Sequence, residues 1–313
     1  MAQLYDEEWV LGPDKIHFYT RKYEPPQGIA EAKVAILFLH GFVEHVARYE
    51  HVFPVWAERG IAVLAFDQRG FGRTADGDAT HKGTGRTHTT TEDQMDDVDW
   101  FLRRLEEWAP DNAKLFLVGH SMGGFNAVNF MCSPQSRAAT LPKISGVVAL
   151  SPLMGLAHPP AKFLRSILSI ISLILPSMSV DVAVKPEWLS RDPAVSKSYA
   201  EDNLVFKRGT IKCLRTMLDG VDELNSTLYR SYPQAVPLLW VHGTADEVNS
   251  YKQSFDLFEK MKVKQKSFTP YEGGFHELLN EPHPMKETLM DEIAKWILER
   301  SATGSPEGAK ARL

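Results

Sequence analysis

Five residues constrain this chain more than any others. Gly119-His120-Ser121-Met122-Gly123 spells G-x-S-x-G between an expected strand and an expected helix. Leu115-Phe116-Leu117-Val118, just before it, is an apolar run of strand-forming residues, and residues 125–132 after it suit a helix. A strand that reverses into a helix through one serine holds that serine in strained backbone, so its neighbours must be small. Gly119, Gly123 and Gly124 have no Cβ and meet that demand. Such a turn projects the Ser121 hydroxyl above a sheet and points the Met122 N–H back toward it.

The rest of the chain supplies the sheet. Residues 8–11 and 15–23 read as two strands about the Gly12-Pro13-Asp14 turn, the second alternating Ile16 and Phe18 with His17 and Tyr19. Residues 34–39 and 61–66 are continuous apolar runs, as strands buried on both faces should be. Between them Tyr49, Val52, Phe53 and Trp56 recur at helical spacing, with Pro54 expected to kink or shorten that helix. A Gly/Thr/His-rich stretch, 74–91, reads as a long loop, and Met95, Val98, Phe101, Leu102, Leu105 and Trp108 mark an amphipathic helix. An apolar run returns at 144–150, the strand pattern resumes at 237–242 and again near 266–271, and 285–298 reads as a closing helix. This alternation predicts an α/β fold with a mostly parallel central sheet flanked by helices. Residues 153–225 hold no convincing strand and read as an inserted helical cap. The core is thus expected at 1–152 and 226–300, with a Gly/Ser/Ala/Lys-rich, disordered tail at 301–313.

A serine hydroxyl is a weak nucleophile until a base and an orienting acid serve it. On sheets that carry a serine at such a turn, the acid and then the histidine follow along the chain, each just past a strand. Asp246, in Gly243-Thr244-Ala245-Asp246, and His276, in Glu272-Gly273-Gly274-Phe275-His276, fit that order. Of the 11 histidines only His242, His276 and His283 lie late enough; His242 falls inside the strand end before the acid, and His283 stands between two prolines. An acyl-transfer intermediate needs two aimed N–H donors for its oxyanion. Met122 N–H is one; Phe42 N–H, in the turn after the 34–39 strand, is the other. The histidines at 40 and 45, or 81 and 88, have no Cys/Asp/His set beside them, so neither a metal nor another cofactor is expected. Gly83-Thr84-Gly85-Arg86-Thr87 lacks the lysine spacing and preceding strand of a phosphate loop.

HGFVEH at 40–45, FDQRGFG at 66–72, GHSMGG at 119–124, GTADE at 243–247 and YEGGFHEL at 271–278 together resemble the monoacylglycerol lipase family of the α/β-hydrolase superfamily. The resemblance spans roughly residues 34–298. It implies the α/β-hydrolase fold, Ser121 as nucleophile, Asp246 as acid, His276 as base, and an oxyanion hole at Phe42 and Met122. It also implies that Glu44 and Arg48 lie near the alcohol end of the site, with Tyr199 of the cap near the glycerol. Asn249 departs from the family's animal members, which carry a cysteine there, and Val43 replaces a residue that is commonly small. The implied reaction is hydrolysis of a monoacylglycerol to fatty acid and glycerol through an acyl-enzyme. A lysophospholipase, a fatty-acid ethyl ester hydrolase or another carboxylesterase would use the same triad. A binding protein built on the hydrolase fold is a third reading, which an intact triad opposes.

Residues 161–175, between Pro160 and Pro176, are apolar except for one narrow stripe of Lys162, Arg165, Ser166, Ser169 and Ser172. A helix there is too short to span a bilayer and suits one that dips into a membrane or lipid-droplet surface and admits an acyl chain. A helix buried on two sides, or a homodimer contact, is the plainer alternative. The formal net charge of −5 gives no bulk attraction for nucleic acid. Two cysteines make no disulfide framework, and the polar start of the chain has no signal-peptide core, so a cytoplasmic protein is expected. The terminal Ala311-Arg312-Leu313 resembles the small-basic-leucine peroxisomal address.

Overall fold

The computed structural model describes residues 4–133, 144–159, 171–182 and 184–302. An eight-stranded sheet runs in the order β1-β2-β4-β3-β5-β6-β9-β10. β1 (Asp6–Leu11) and β2 (His17–Tyr23) form the antiparallel margin, and β2 pairs antiparallel with β4 (Ile61–Phe66). Every other neighbouring pair is parallel, through β3 (Val34–Leu39), β5 (Lys114–His120), β6 (Ile144–Leu150), β9 (Leu238–Gly243) and β10 (Lys266–Tyr271).

Strand side chains alternate between faces, and both faces here are covered. Ala35, Leu37 and Leu39 of β3 join one apolar core, while Val34, Ile36 and Phe38 join the other. The first core lies under α3 (Thr91–Trp108) and α4 (Met122–Cys132); the second lies under α1 (Phe53–Ala57) and α8 (Met285–Ala302). The α3 helix starts on a capping box in which Thr90 and Asp93 satisfy each other's backbone N–H groups.

Four sequence expectations need correction. Residues 153–225 do contain strands: β7 (Ser179–Asp181) and β8 (Arg208–Thr210) form a separate antiparallel ribbon. Three-residue strands are too short to register as periodicity. α2 (Gly72–Asp76) takes the start of the stretch read as loop from residue 74. The helix expected over 49–56 is divided into a 3₁₀ turn, Val46–Tyr49, and α1, whose first turn takes Pro54 where no N–H is required. Helix α8 runs to Ala302, so the expected tail loses its first two residues. The insertion also holds α5 (Pro193–Glu201) and α6 (Ile211–Ser226), and α7 (Tyr251–Lys260) follows β9. Of the expected interfacial helix at 161–175, residues 161–170 lie outside the described residues, and so does the tripeptide 311–313; residues 171–174 are helical.

Candidate active site

Ser121 stands between β5 and α4 with φ 54° and ψ −117°. That left-handed backbone costs an L-residue free energy and is kept only when its surroundings over-determine it. They do: a Cβ on Gly123 would lie 2.1 Å from Leu39 O, and one on Gly119 2.2 Å from Gly123 O. The chain passes so closely that only hydrogen fits. Ser121 N–H donates to Leu150 O (2.9 Å), while Ser121 O accepts from Phe125 (2.9 Å) and Leu153 (3.0 Å) N–H groups. The serine is thereby pinned to the end of β6 as well as to its own helix.

Three side chains meet there in one hydrogen-bonded line. His276 Nε2 is 3.0 Å from Ser121 Oγ, and His276 Nδ1 is 2.8 Å from Asp246 Oδ2. All three are buried. Asp246 follows β9 and His276 follows β10, so the parallel register of those strands brings the loops together. The Asp246 carboxyl is held well below the usual carboxylate range. Burial opposes its charge, but the imidazoles of His276 and His242 outweigh burial. Burial likewise opposes a charged His276, yet the Asp246 carboxylate, with smaller help from Glu277 and Glu44, leaves its pKa raised. The site therefore favours an imidazolium next to a carboxylate, the charge distribution that proton removal from Ser121 would create.

The turn after β3 closes the other side. His40 is fully buried, and that burial pushes its pKa down to about 3. Gln68 N–H donates to His40 Nε2 (2.9 Å) and Gln68 Nε2 donates to His40 O (2.7 Å), while Asn126 of α4 donates to Gln68 Oε1 (3.1 Å). Because Nε2 accepts, Nδ1 carries the proton and donates to Gly41 O (2.8 Å). Gly41 packs on Ser121: a Cβ there would stand 3.2 Å from Ser121 Cβ. Val43 takes φ 56°, a strained conformation for a β-branched residue. Gly41, Phe42, Ser121, Tyr199 and His276 are among the residues that border a cavity of about 70 Å³. Met122 is the first residue of α4, where a backbone N–H has no partner within the helix.

Glu44 also borders that cavity, but its carboxylate is already engaged. It accepts from Gly41 N–H, from Tyr49 Oη–H (2.7 Å) and from Arg48 Nε–H (3.2 Å). Burial and the nearby Glu277 carboxylate raise its pKa. Arg48 Nη2 donates to both Glu277 carboxylate oxygens, at 2.8 and 2.6 Å, and the guanidinium lies 5.1 Å from the Tyr199 ring centre. Glu44 and Arg48 thus brace the turn after β3 against the loop that carries His276. Asn249 donates through Nδ2 to Ser151 O (2.8 Å) and reaches Ser121 Oγ at 3.4 Å.

Sequence reasoning passed over three contributors. His242 lies on Asp246 rather than merely ending a strand, at 3.0 Å. Gln68 anchors His40. Glu281 accepts from Phe275 N–H (2.7 Å) and from Arg191 Nε–H (2.8 Å), which fixes the histidine loop. His242 left a trace in the sequence, four residues ahead of Asp246, and Gln68 stands within the FDQRGFG motif.

The family model described as serine aminopeptidase, S33 matches residues 30–283. A Schizosaccharomyces pombe protein carrying a provisional monoglyceride lipase name is 32% identical over 96% of this chain and 72% of its own. The crystal structure of a Paleococcus ferrophilus monoacylglycerol lipase is 28% identical, covers 90% of this chain and 99% of its own, and superposes with a TM-score of 0.75. A soluble variant of Saccharomyces cerevisiae monoglyceride lipase, solved in complex with a substrate analog, is 21% identical over 96% of this chain and 97% of its own, and shares the fold with a TM-score of 0.84. With the whole fold and nearly the whole chain matched, this protein belongs to the α/β-hydrolase superfamily, as a serine carboxylic ester hydrolase of the monoglyceride lipase and esterase group.

Proposed function

We propose that this enzyme is a monoacylglycerol lipase. The observation that carries ester hydrolysis is the line from Ser121 Oγ through His276 to Asp246, with contacts of 3.0 and 2.8 Å, and the likeness to monoglyceride lipases supports the substrate. Ser121 Oγ attacks the ester carbonyl while His276 Nε2 takes its proton and Asp246 steadies the imidazolium. The N–H groups of Phe42 and Met122 hold the oxyanion. His276 then returns the proton to the glycerol oxygen, and glycerol leaves an acyl-enzyme. Water, deprotonated by His276, attacks that ester and releases the fatty acid. Glu44, Arg48 and Tyr199 shape the alcohol end of the site, Arg48 by holding the other two in place.

A lipid surface is the proposed partner. Leu173 and Ile174 are about three-quarters exposed, and Leu175 and Met178 lie bare beside them. Exposed apolar residues grouped at the end of an apolar stretch suit contact with a membrane or droplet. No helix among the described residues is long and apolar enough to cross a membrane. The double variant Leu173→Glu/Ile174→Glu should sediment with phosphatidylcholine vesicles several-fold less than the native chain, with short-ester turnover intact. Equal sedimentation removes the surface assignment.

One observation favours a second substrate. The cavity of about 70 Å³ falls short of the roughly 300 Å³ at which ligand pockets begin, so a small ester enters more readily than a long acyl chain. Steady-state release of product from monooleoylglycerol, lysophosphatidylcholine and a short nitrophenyl ester decides between them. Preference for monooleoylglycerol in kcat/KM, abolished in Ser121→Ala, is expected. A strong preference for the short ester transfers the protein to the general carboxylesterases, and activity surviving in Ser121→Ala overturns the nucleophile.

A further inference from the structure

Asp246 accepts more hydrogen bonds than the orientation of one imidazole requires. Its Oδ1 takes the backbone N–H groups of Val248 (2.8 Å) and Asn249 (2.9 Å), which lock the plane of the carboxylate. Its Oδ2 meets two imidazoles, His276 Nδ1 at 2.8 Å and His242 Nε2 at 3.0 Å. An ionised carboxylate only accepts, so both rings present N–H to it. For His276 this leaves a bare Nε2 facing Ser121. For His242 it places the proton on Nε2. Its Nδ1 has no hydrogen-bond partner among the described residues, and the side chain is completely buried. A second proton on Nδ1 would be a buried donor with nothing to receive it. Among the described residues, the one hydrogen bond of the His242 ring is thus the one to Asp246.

We propose that His242 is a positioning residue for catalysis, a fourth member of the relay whose Nε2–H keeps Asp246 ionised and aimed, and so sets how readily His276 takes the Ser121 proton. This rests on the serine-hydrolase reading above. When His276 becomes an imidazolium, its Nδ1 proton must stay on nitrogen rather than pass to Asp246. A second donor on the same carboxylate oxygen makes that oxygen less basic and holds the proton where it is.

The groups around the relay are few. His276 faces Asp246, His120 with ring centres 4.8 Å apart, and the Glu277 and Glu44 carboxylates, which share Arg48 between them. His242 faces Asp246 and the Tyr251 ring, the two ring centres 5.7 Å apart and the planes near perpendicular. Replacement of His242 leaves all of them in place apart from its bond to Asp246.

Three variants test the idea. His242→Gln carries an N–H donor to about the same place, His242→Asn is one methylene short, and His242→Leu has no donor. The readouts are the acid limb of the pH profile of kcat/KM on a nitrophenyl ester, and the rate at which a fluorophosphonate labels Ser121. His242→Leu and His242→Asn should raise the acid limb by about one pH unit, because one charge-assisted hydrogen bond to Asp246 is gone. Labelling at neutral pH should slow about tenfold, and His242→Gln should restore both to near the native values. Acid limbs unmoved in folded His242→Asn or His242→Leu, or His242→Gln no better than His242→Asn, overturn the proposal. The two polar variants keep the test available if His242→Leu fails to fold. Ser121→Ala separates the two readings. Activity retained there removes the relay and this inference together, whereas activity lost there beside unmoved His242 profiles overturns this inference alone.

Discussion

Hydrogen atoms are what make the serine turn possible. The ideal Cβ positions at Gly119 and Gly123 fall within 2.2 Å of backbone carbonyl oxygens, so each crossing is between main chains with nothing to move aside. Gly123→Ala should therefore cost about 3 kcal/mol or more of stability, measured by urea unfolding, and reduce Ser121 labelling by a fluorophosphonate even in the folded fraction. This demand was legible in the sequence because glycine leaves a direct mark. The same holds for Asp246 and His276, each of which the order of strands locates just past an expected strand. His242 was not legible in this way. A histidine at the end of a strand looks alike whether its ring meets an acid or a hydrophobic wall, and only the turn of the next four residues decides. The bracing role of Arg48 was equally hidden, since its second partner, Glu277, is 229 residues away.

Elements were read well where apolar periodicity was long and poorly where hydrogen bonding did the work. β3, β4 and β6 match the expected spans because a strand buried on both faces reads as an apolar run. The ribbon of β7 and β8 is three residues long on each side and draws its stability from its attachments. Foremost among these is Thr210. Its N–H donates to Thr87 Oγ1 (2.9 Å), its hydroxyl donates to Thr87 O (2.7 Å), and the same hydroxyl accepts from Cys213 N–H (3.3 Å) as the N-cap of α6. Thr210→Val keeps the shape and removes both side-chain bonds. It should destabilise the protein by about 1–2 kcal/mol and increase hydrogen exchange at the start of α6, while Thr210→Ser should retain most of the native protection. An unchanged exchange pattern in Thr210→Val would show that packing alone seats the helix.

At the scale of the whole molecule, buried neutral histidines tie stability to pH. The His40 pKa is pushed down to about 3 by burial, so the folded chain binds fewer protons there than the unfolded chain does. Its contribution is whole above about pH 6.5 and is lost as the pH falls toward about 3, at about 1.4 kcal/mol per pH unit. His40→Asn should thus destabilise strongly at pH 7 and by steadily less at pH 6 and 5, read as the gap between native and variant urea midpoints. A gap that stays constant with pH would mean that His40 titrates freely in the folded protein. A second property of the whole molecule concerns the insertion, whose middle segment grips the loop behind the reaction centre. Trp188 O accepts from His276 N–H (3.5 Å), Leu189 O from Glu277 N–H (2.7 Å), Ser190 Oγ donates to Asn280 O (2.9 Å), and Arg191 holds Glu281. Residues 186–191 are thus as much a part of the histidine's scaffold as β10 is. Chimeras that exchange the insertion for that of a relative must retain this strap from the recipient. Without it, a graft that alters substrate preference would loosen His276 along with it.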